Sequence, residues 1–492
     1  MDLKKRKLFL ALVGAYGVIL ILLHNLVEFR STREVIVLAA NFHNSSLSFL
    51  TSLNLNLSVL AKDNHELQHA ITEDKFKDSL NKLLKNLNIN VTNEVLRYKN
   101  MHDKSNIHKK YQLTQKTSKP ESSEKQAVYV DTDYGKDLVR EEGFTVNSSC
   151  IRRVTGVEDI LCMNRPQFLP DFRNPCWYQR GSLKCLPYFH IIGVCKTGTT
   201  DLFERLCHHP QILENNGIFG KETQYWTWRR YGHRRFYMEI TDHKTLDNFI
   251  DQFDASAIER YTKRMPNGSL YHPVVTGHGD PMDFWDQSSW KQIPQNDPTT
   301  DTPEVTTPTL IKHVNPNVKL ILIFRDPIER LFSSYLHGGF GTTAAEFHED
   351  VLMSQSLLTS CARDRSMKAC LYDEGIIRNL WVPISGSFYS VHLQEWLKVF
   401  PRKQIFILRT EEYSQNIADS LLRIFRFLHL DPLPTRDLYR IANMPRFFNT
   451  KAKETSGEIQ DETKLILRSL FEPYNNELAA ILNDQKYNFN NI

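Results

Sequence analysis

Residues 193 to 200 read Gly-Val-Cys-Lys-Thr-Gly-Thr-Thr, directly after an apolar run and directly before Asp201-Leu202-Phe203-Glu204-Arg205-Leu206, which has helical character. Apolar strand, glycine-bearing loop and helix start, in that order, make an anion cradle. The glycines let backbone approach an anion, the N–H groups at the helix start point toward it, and Lys196, Thr197, Thr199 and Thr200 add charge and hydroxyl donors around Gly198. The lysine precedes the second glycine and no Gly-Lys-Ser/Thr ending follows. This is therefore not a regular Walker A loop, which weakens a kinase reading. Taken alone, the loop also reads as a structural strand-to-helix turn.

A second apolar run ends in Phe324-Arg325-Asp326-Pro327-Ile328-Glu329-Arg330-Leu331-Phe332-Ser333. Arg325 leaves the strand end and Ser333 lies about two helical turns later, so both can face one ligand phosphate. The planar guanidinium fork suits a phosphate dianion. Further back, Arg229, Arg230, His233, Arg234 and Arg235 are interleaved with Trp226, Trp228, Tyr231 and Phe236. Such a strip either holds an acidic polysaccharide and stacks its sugar rings, or is a solvated basic helix face.

The elements that must position these groups are legible as three short runs, Tyr188 to Val194, Val318 to Phe324 and Gln404 to Leu408, each followed by a helix candidate. Runs apolar on both faces and alternating with helices predict an α/β fold: a central parallel sheet with helices on both faces and ligands at the carboxyl ends of the strands. Asp326 is placed to cap the second helix, with Pro327 at its first position.

The domain that carries them is expected from residue 147 to residue 492. Before it, Leu8 to Val27 is apolar and follows Lys4, Lys5, Arg6 and Lys7. The run is long enough to cross a bilayer, and the positive-inside rule leaves residues 1–7 in the cytosol, giving a type II signal anchor with the rest lumenal. A cleaved signal peptide shares those flanks, but no clear small-residue cleavage site follows His24. Residues 28–146 read as a stem in which Ile71, Phe76, Leu80, Leu83, Leu84 and Leu87 fall at helical spacing. That helix either packs on nothing in particular or pairs two chains into a homodimer. Residues 100 to 137 have linker composition.

Charged residues are 24% of the chain and the formal net charge is only +4, so nothing in the overall balance marks a nucleic-acid partner. Asn44, Asn56, Asn90, Asn147 and Asn267 head Asn-x-Ser/Thr sequons, which suits the lumen. Eight cysteines can pair there. Cys361 and Cys370 are near enough in sequence to close a small loop; Cys150, Cys162, Cys176 and Cys185 cluster with their pairing open, and Cys195 and Cys207 are candidates to stay reduced.

With the loop and the Arg-Asp-Pro helix start in hand, the chain from about Cys176 onward resembles sulfotransferases that use 3′-phosphoadenosine 5′-phosphosulfate (PAPS). Lys196 to Thr200 looks like their 5′-phosphosulfate loop, while Arg325 and Ser333 match their 3′-phosphate site. Five pieces narrow the resemblance: Leu186-Pro187-Tyr188-Phe189, Gly198-Thr199-Thr200-Asp201-Leu202, Phe284-Trp285-Asp286, Trp396-Leu397-Lys398-Val399-Phe400 and Ile407-Leu408-Arg409. These are similar to the carbohydrate sulfotransferases of the N-acetylgalactosamine 4-sulfate 6-O-sulfotransferase type. The resemblance implies a Golgi enzyme that sulfates a glycosaminoglycan without a metal, and a disulfide between Cys361 and Cys370. It also implies that Lys451 and Lys453 precede a loop closing over the nucleotide.

In-line sulfuryl transfer needs charge relief on the leaving phosphate and a base for the acceptor proton. By resemblance Lys196 supplies the first and Glu222 the second, with Lys221 beside it to bind sulfate or substrate, while Arg229 and Arg230 of the basic strip are the candidates toward the sulfated acceptor; on the residues alone, Lys221-Glu222 reads as a surface pair. The chain departs from the family at Gln224, where His is usual, and at Gly277-His278-Gly279-Asp280-Pro281-Met282, where a Gly-Asp-Gly-Ser-Pro-Ser-like stretch is usual. Glutamine does not titrate near neutrality. A catalytically silent polysaccharide binder is the rival that these departures favour.

Overall fold

A computed structural model describes residues 143–146, 150, 153–234, 239–240, 242–447 and 455–489. Its centre is a five-stranded parallel sheet: β1 (Phe189–Gly193), β2 (Ile212–Leu213), β3 (Val275–His278), β4 (Lys319–Phe324) and β5 (Ile405–Arg409), in the order β5-β4-β1-β3-β2. The three strands expected from their apolar runs form with ends shifted by a residue. The two short strands β2 and β3, which carry no such run, complete the sheet.

Alternation sorts the apolar side chains between two layers. Phe189, Ile191, Ile321, Ile323 and Leu408 face α1 (Thr199–Cys207) and α6 (Ile417–Phe427), through Leu202, Phe203, Leu206, Leu421 and Ile424. Ile192, Leu320, Leu322, Phe324 and Ile407 face α2 (Thr307–Val314) and α5 (Tyr389–Val399), through Leu310, Ile311, Leu393 and Trp396. Each such fully buried side chain contributes roughly 1.5 to 3 kcal/mol. A second apolar cluster joins α3 (Pro327–Gly338), α4 (Ala344–Ala362) and α7 (Asp461–Leu482) through Leu331, Phe332, Phe347, Val351, Leu467 and Phe471.

From β1 the chain passes outward to β2 and β3 on one side; β4 and β5 lie on the other. The strand order therefore reverses between β1 and β4, and a crevice opens at their carboxyl ends. Both sequence motifs emerge there.

Cysteine pairs link Cys150–Cys162, Cys176–Cys185 and Cys361–Cys370, and Cys195 and Cys207 are free thiols. Among the described residues no helix is long and apolar enough to cross a membrane. The Leu8 to Val27 run, the Ile71 to Leu87 helix, Asn44, Asn56, Asn90, Asn147, Lys451 and Lys453 lie outside the described residues. Asn267 is exposed.

Candidate active site

The loop after β1 has left-handed backbone at Lys196 (φ 67°) and at Gly198 (φ 94°), the latter forming the N-cap of α1. Gly198 is needed for that conformation. A Cβ placed on it meets no heavy atom within 4 Å, so the space over the helix N-terminus is open to a ligand. Thr197 is fully buried and ties the loop down: its hydroxyl donates to the Val194 carbonyl at 2.8 Å, and its carbonyl accepts from Thr410 Oγ1 at 2.7 Å. Thr410 sits one residue past β5 and its hydroxyl also lies 3.0 Å from the Phe324 carbonyl at the end of β4, so the ends of three strands fix this loop.

Asp326 caps α3 by accepting from the N–H groups of Ile328 and Glu329 at 3.0 and 2.9 Å, with Pro327 in the first turn. That cap sends Arg325 across the crevice, where Nη1 donates to the Lys196 carbonyl at 3.2 Å. Nη2 pairs with Glu329 at 3.2 Å. Glu329 and Ser333 are one helical turn apart on α3, so Arg325, Glu329 and Ser333 line one side of the crevice. Burial lowers the Lys196 ammonium from its ordinary range; the Cys195 thiol raises it and Arg325 lowers it further. A lysine and an arginine in contact through the loop at a helix N-terminus are the groups an anion site requires.

Behind this loop is a layer that the sequence reading did not single out. Arg205 on α1 is fully buried, pairs with Asp201 at 2.9 Å, and donates to the carbonyls of Ile441 and Met444 at 2.6 and 2.8 Å. Asp201 also accepts from Tyr413 Oη at 2.6 Å and the Phe447 N–H at 2.9 Å. The phosphate-loop helix thus anchors the chain that leads to residue 448. Arg330, also buried, donates to Cys195 Sγ at 3.2 Å and Ser387 Oγ at 2.9 Å. The signal for the first pair was present: an i, i+4 Asp–Arg couple on the apolar side of a helix.

Glu222 stands at the end of the neighbouring strand, β3. Asn215 Nδ2 donates to the carbonyls of Lys221 and Gly277 at 3.0 and 2.9 Å, and the Gly279 N–H donates to the Lys221 carbonyl at 2.9 Å. Gly279 lets this end of β3 pack closely, since a Cβ there would come within 3.1 Å of Phe203 on α1, tighter than an ordinary contact. Lys221 is 1% exposed; its ammonium pairs with the Glu222 carboxylate and donates to the Gly279 carbonyl at 3.1 Å. Glu222, at 18% side-chain exposure, keeps an open side. Asp280, buried beside it, is pushed up to about 7 by burial and by the Glu222 charge.

The surroundings of the remaining candidates correct the sequence reading. Lys221 is no surface group awaiting an acceptor; its buried ammonium is committed to Glu222. Arg230 is buried too, donating to the Glu158 carbonyl at 3.1 Å and lying over Tyr231. The segment from Arg229 to Tyr231 is one 3-10 turn rather than a helix face, and Trp226, Trp228 and Tyr231 are core residues. Their rings are spent on packing, which removes them as sugar-stacking platforms. Arg229 is half-buried, donates to the Thr223 carbonyl at 3.5 Å, and with Lys244 and Asn248 lines a cavity of about 200 Å³.

The profile of the sulfotransferase domain matches residues 187–486, which contain both motifs, Glu222 and the whole sheet. The chain belongs to the sulfotransferase family. Among curated relatives, carbohydrate sulfotransferase 15 of Mus musculus is 32% identical over 313 residues, covering 62% of this chain and 55% of that protein. Its Homo sapiens counterpart is 29% identical over 371 residues, covering 65% of each. A Drosophila melanogaster bifunctional heparan sulfate N-deacetylase/N-sulfotransferase is 26% identical over 277 residues, covering 54% of this chain and 22% of that protein. The chain thus spans somewhat more than half the length of the carbohydrate sulfotransferases it matches. The 3′-phosphoadenosine donor of this family fits the residues present: open space over Gly198 at a helix N-terminus, with Lys196 in the same loop and Arg325 bonded to it.

Proposed function

We propose that this protein is a carbohydrate O-sulfotransferase that uses PAPS as donor and a glycosaminoglycan as acceptor. The observation that carries the reading is the bond from Arg325 to the Lys196 carbonyl at the β1/β4 crevice, which ties the Arg-Asp-Pro helix start to the loop at the N-terminus of α1. Bound PAPS supplies the sulfuryl group and a phosphate leaving group. Lys196 offsets charge on the oxygen that departs, and the N–H groups of Gly198, Thr199 and Thr200 hold the phosphosulfate. Arg325 and Ser333 take the 3′-phosphate. Glu222 accepts the proton of the attacking sugar hydroxyl as the new S–O bond forms and the bond to the leaving phosphate breaks. Lys221 positions that carboxylate from behind.

The likeness to carbohydrate sulfotransferase 15 supports an acceptor of the chondroitin or dermatan class, at the 6-hydroxyl of N-acetylgalactosamine 4-sulfate. Arg229 and Lys244, at the rim of the cavity beside Thr223, supply positive charge toward a sulfated chain. The Lys4 to Lys7 cluster and the Leu8 to Val27 run support a type II Golgi protein with this domain in the lumen.

The test is incubation of the purified full-length chain with labelled PAPS and a panel of chondroitin, dermatan and heparan chains, followed by disaccharide analysis. Label in a 4,6-disulfated N-acetylgalactosamine disaccharide is expected. Label only in heparan disaccharides overturns the acceptor class, and no transfer to any chain overturns the enzymatic reading in favour of a silent binder.

A further inference from the structure

One cluster lies outside the sulfuryl-transfer machinery. In the register of β1 and β3, His190 is the direct partner of His278. Cross-strand partners share a face of the sheet, and the two imidazoles meet edge to face with centroids 4.9 Å apart. The loop after β3 folds back across β1, where the Phe284 N–H donates to the Ile192 carbonyl at 2.9 Å. That return brings Asp283 Oδ2 to 3.6 Å from His278 Nδ1. One ligating atom from each of His190, His278 and Asp283 lies within 4.8 Å of the others, and the Phe249 ring covers both imidazoles.

The burial of these groups needs an explanation. Relative exposure is 2% for His190 and 0% for His278 and Asp283. Nevertheless His190 Nδ1, His278 Nδ1 and both Asp283 carboxylate oxygens have no hydrogen-bond partner. Leaving several polar atoms unpaired in one spot is costly, and native interiors avoid it unless something satisfies them. On its other edge His278 is held: Nε2 lies 2.9 Å from Thr223 Oγ1. With Nε2–H donating to that hydroxyl, the Nδ1 lone pair is left facing Asp283, the arrangement by which outer partners orient metal-bound histidines.

We propose that His190, His278 and Asp283 form a buried site for one divalent transition-metal cation, zinc by its ligand chemistry, with a water completing the shell. Two imidazoles and a carboxylate suit zinc, and also cobalt as its spectroscopic stand-in. Donors about 2.0 to 2.2 Å from a tetrahedral ion stand about 3.4 Å apart, so the His278–Asp283 pair needs little adjustment and His190 a rotation toward it. The ion would join β1, β3 and, through Thr223, the segment carrying Glu222. Its role is positional, because the site is closed to substrate. The site is independent of the sulfuryl-transfer reading, since metal content is measured without turnover.

The test is metal analysis of the purified full-length chain, dialysed against zinc or cobalt and then against metal-free buffer. One equivalent per chain is expected, with d–d absorption of low-symmetry coordination for cobalt and a thermal midpoint raised by zinc. Asp283→Asn, which keeps shape and removes the charged ligand, is expected to lower metal content about tenfold with circular dichroism unchanged. Should Asp283→Asn misfold, X-ray absorption of zinc on the wild type decides: imidazole and oxygen donors support the site, and sulfur donors, pointing to Cys195 or Cys207, overturn it. A wild type holding under about 0.1 equivalent, or a folded Asp283→Asn chain retaining its metal, also overturns it.

Discussion

The two halves of the candidate site are built by different physics. On the donor side, between β1 and β4, the binding groups stand on strand ends and helix starts: backbone N–H groups, Lys196, Arg325 and Ser333, fixed by local caps and turns. On the acceptor side, at β3, the proposed base is Glu222, whose position depends on a buried Lys221, an Asn215 bridging two carbonyls, and Gly279 close against Phe203. The first side takes its shape from local caps and turns, which Thr410 and Arg325 then tie together, whereas the second has no local frame and rests on tertiary packing. A change on the donor side should therefore act on chemistry and nucleotide binding with the fold intact. One on the acceptor side should move stability and acceptor turnover together.

The largest expected effect separates chemistry from binding. Lys196→Ala removes a charge realised mainly as the leaving group departs, so single-turnover sulfation should slow by about 10²- to 10³-fold, roughly 3 to 4 kcal/mol. Circular dichroism and thermal midpoint should stay at the wild-type values. Lys221→Met is the matching change on the other side. It leaves the Glu222 carboxylate without its buried partner, and denaturant titration should show a loss of about 3 kcal/mol alongside falling acceptor turnover, with donor-nucleotide affinity unchanged. If Lys221→Met leaves stability alone, the contrast between the two sides fails.

A third test lies beneath both. His392 on α5 is fully buried, stacks on Tyr372, and has Nε2 2.9 Å from the Ser385 carbonyl. Burial pushes its imidazole down to about 4. A depressed histidine gives stability that is complete above the unfolded value near 6.5 and is lost as pH falls toward the folded value. Unfolding free energy should therefore drop by about 2 kcal/mol between pH 7 and pH 5 on this group's account. His392→Gln keeps a donor for Ser385 and should flatten that part of the drop in denaturant titrations at the two pH values. The smallest expected effect is Arg325→Lys, which retains charge and loses the fork: affinity for 3′-phosphorylated adenosine should weaken about tenfold, while affinity for 5′-AMP barely moves in calorimetry.

The same contrast explains what was legible in the sequence. Tyr188 to Val194, Val318 to Phe324 and Gln404 to Leu408 are apolar on both faces, so the central strands and their carboxyl-end loops could be read directly. Strand β3 could not, because Val275-Thr-Gly-His278 has no apolar run. Gly277 is there since a Cβ would collide with the Phe189 ring at 2.2 Å, a constraint visible only once β1 lies beside it. Trp226 and Trp228, interleaved with arginines, carry the same pattern whether they face a sugar or the core. Packing against Phe249 and the Asp286 carboxylate decides for the core. Lys221 reads as a surface lysine for the same reason: its partner across the turn, the Gly279 carbonyl, is 58 residues away.

The central claim is that the β1/β4 crevice is a site for 3′-phosphorylated adenosine nucleotide. Calorimetric titration of the full-length chain with 3′-phosphoadenosine 5′-phosphate and with ATP tests it most directly. Binding of the 3′-phosphorylated nucleotide at least about tenfold tighter than ATP, and weakened by Arg325→Lys, is the predicted result. Equal or tighter binding of ATP would contradict it.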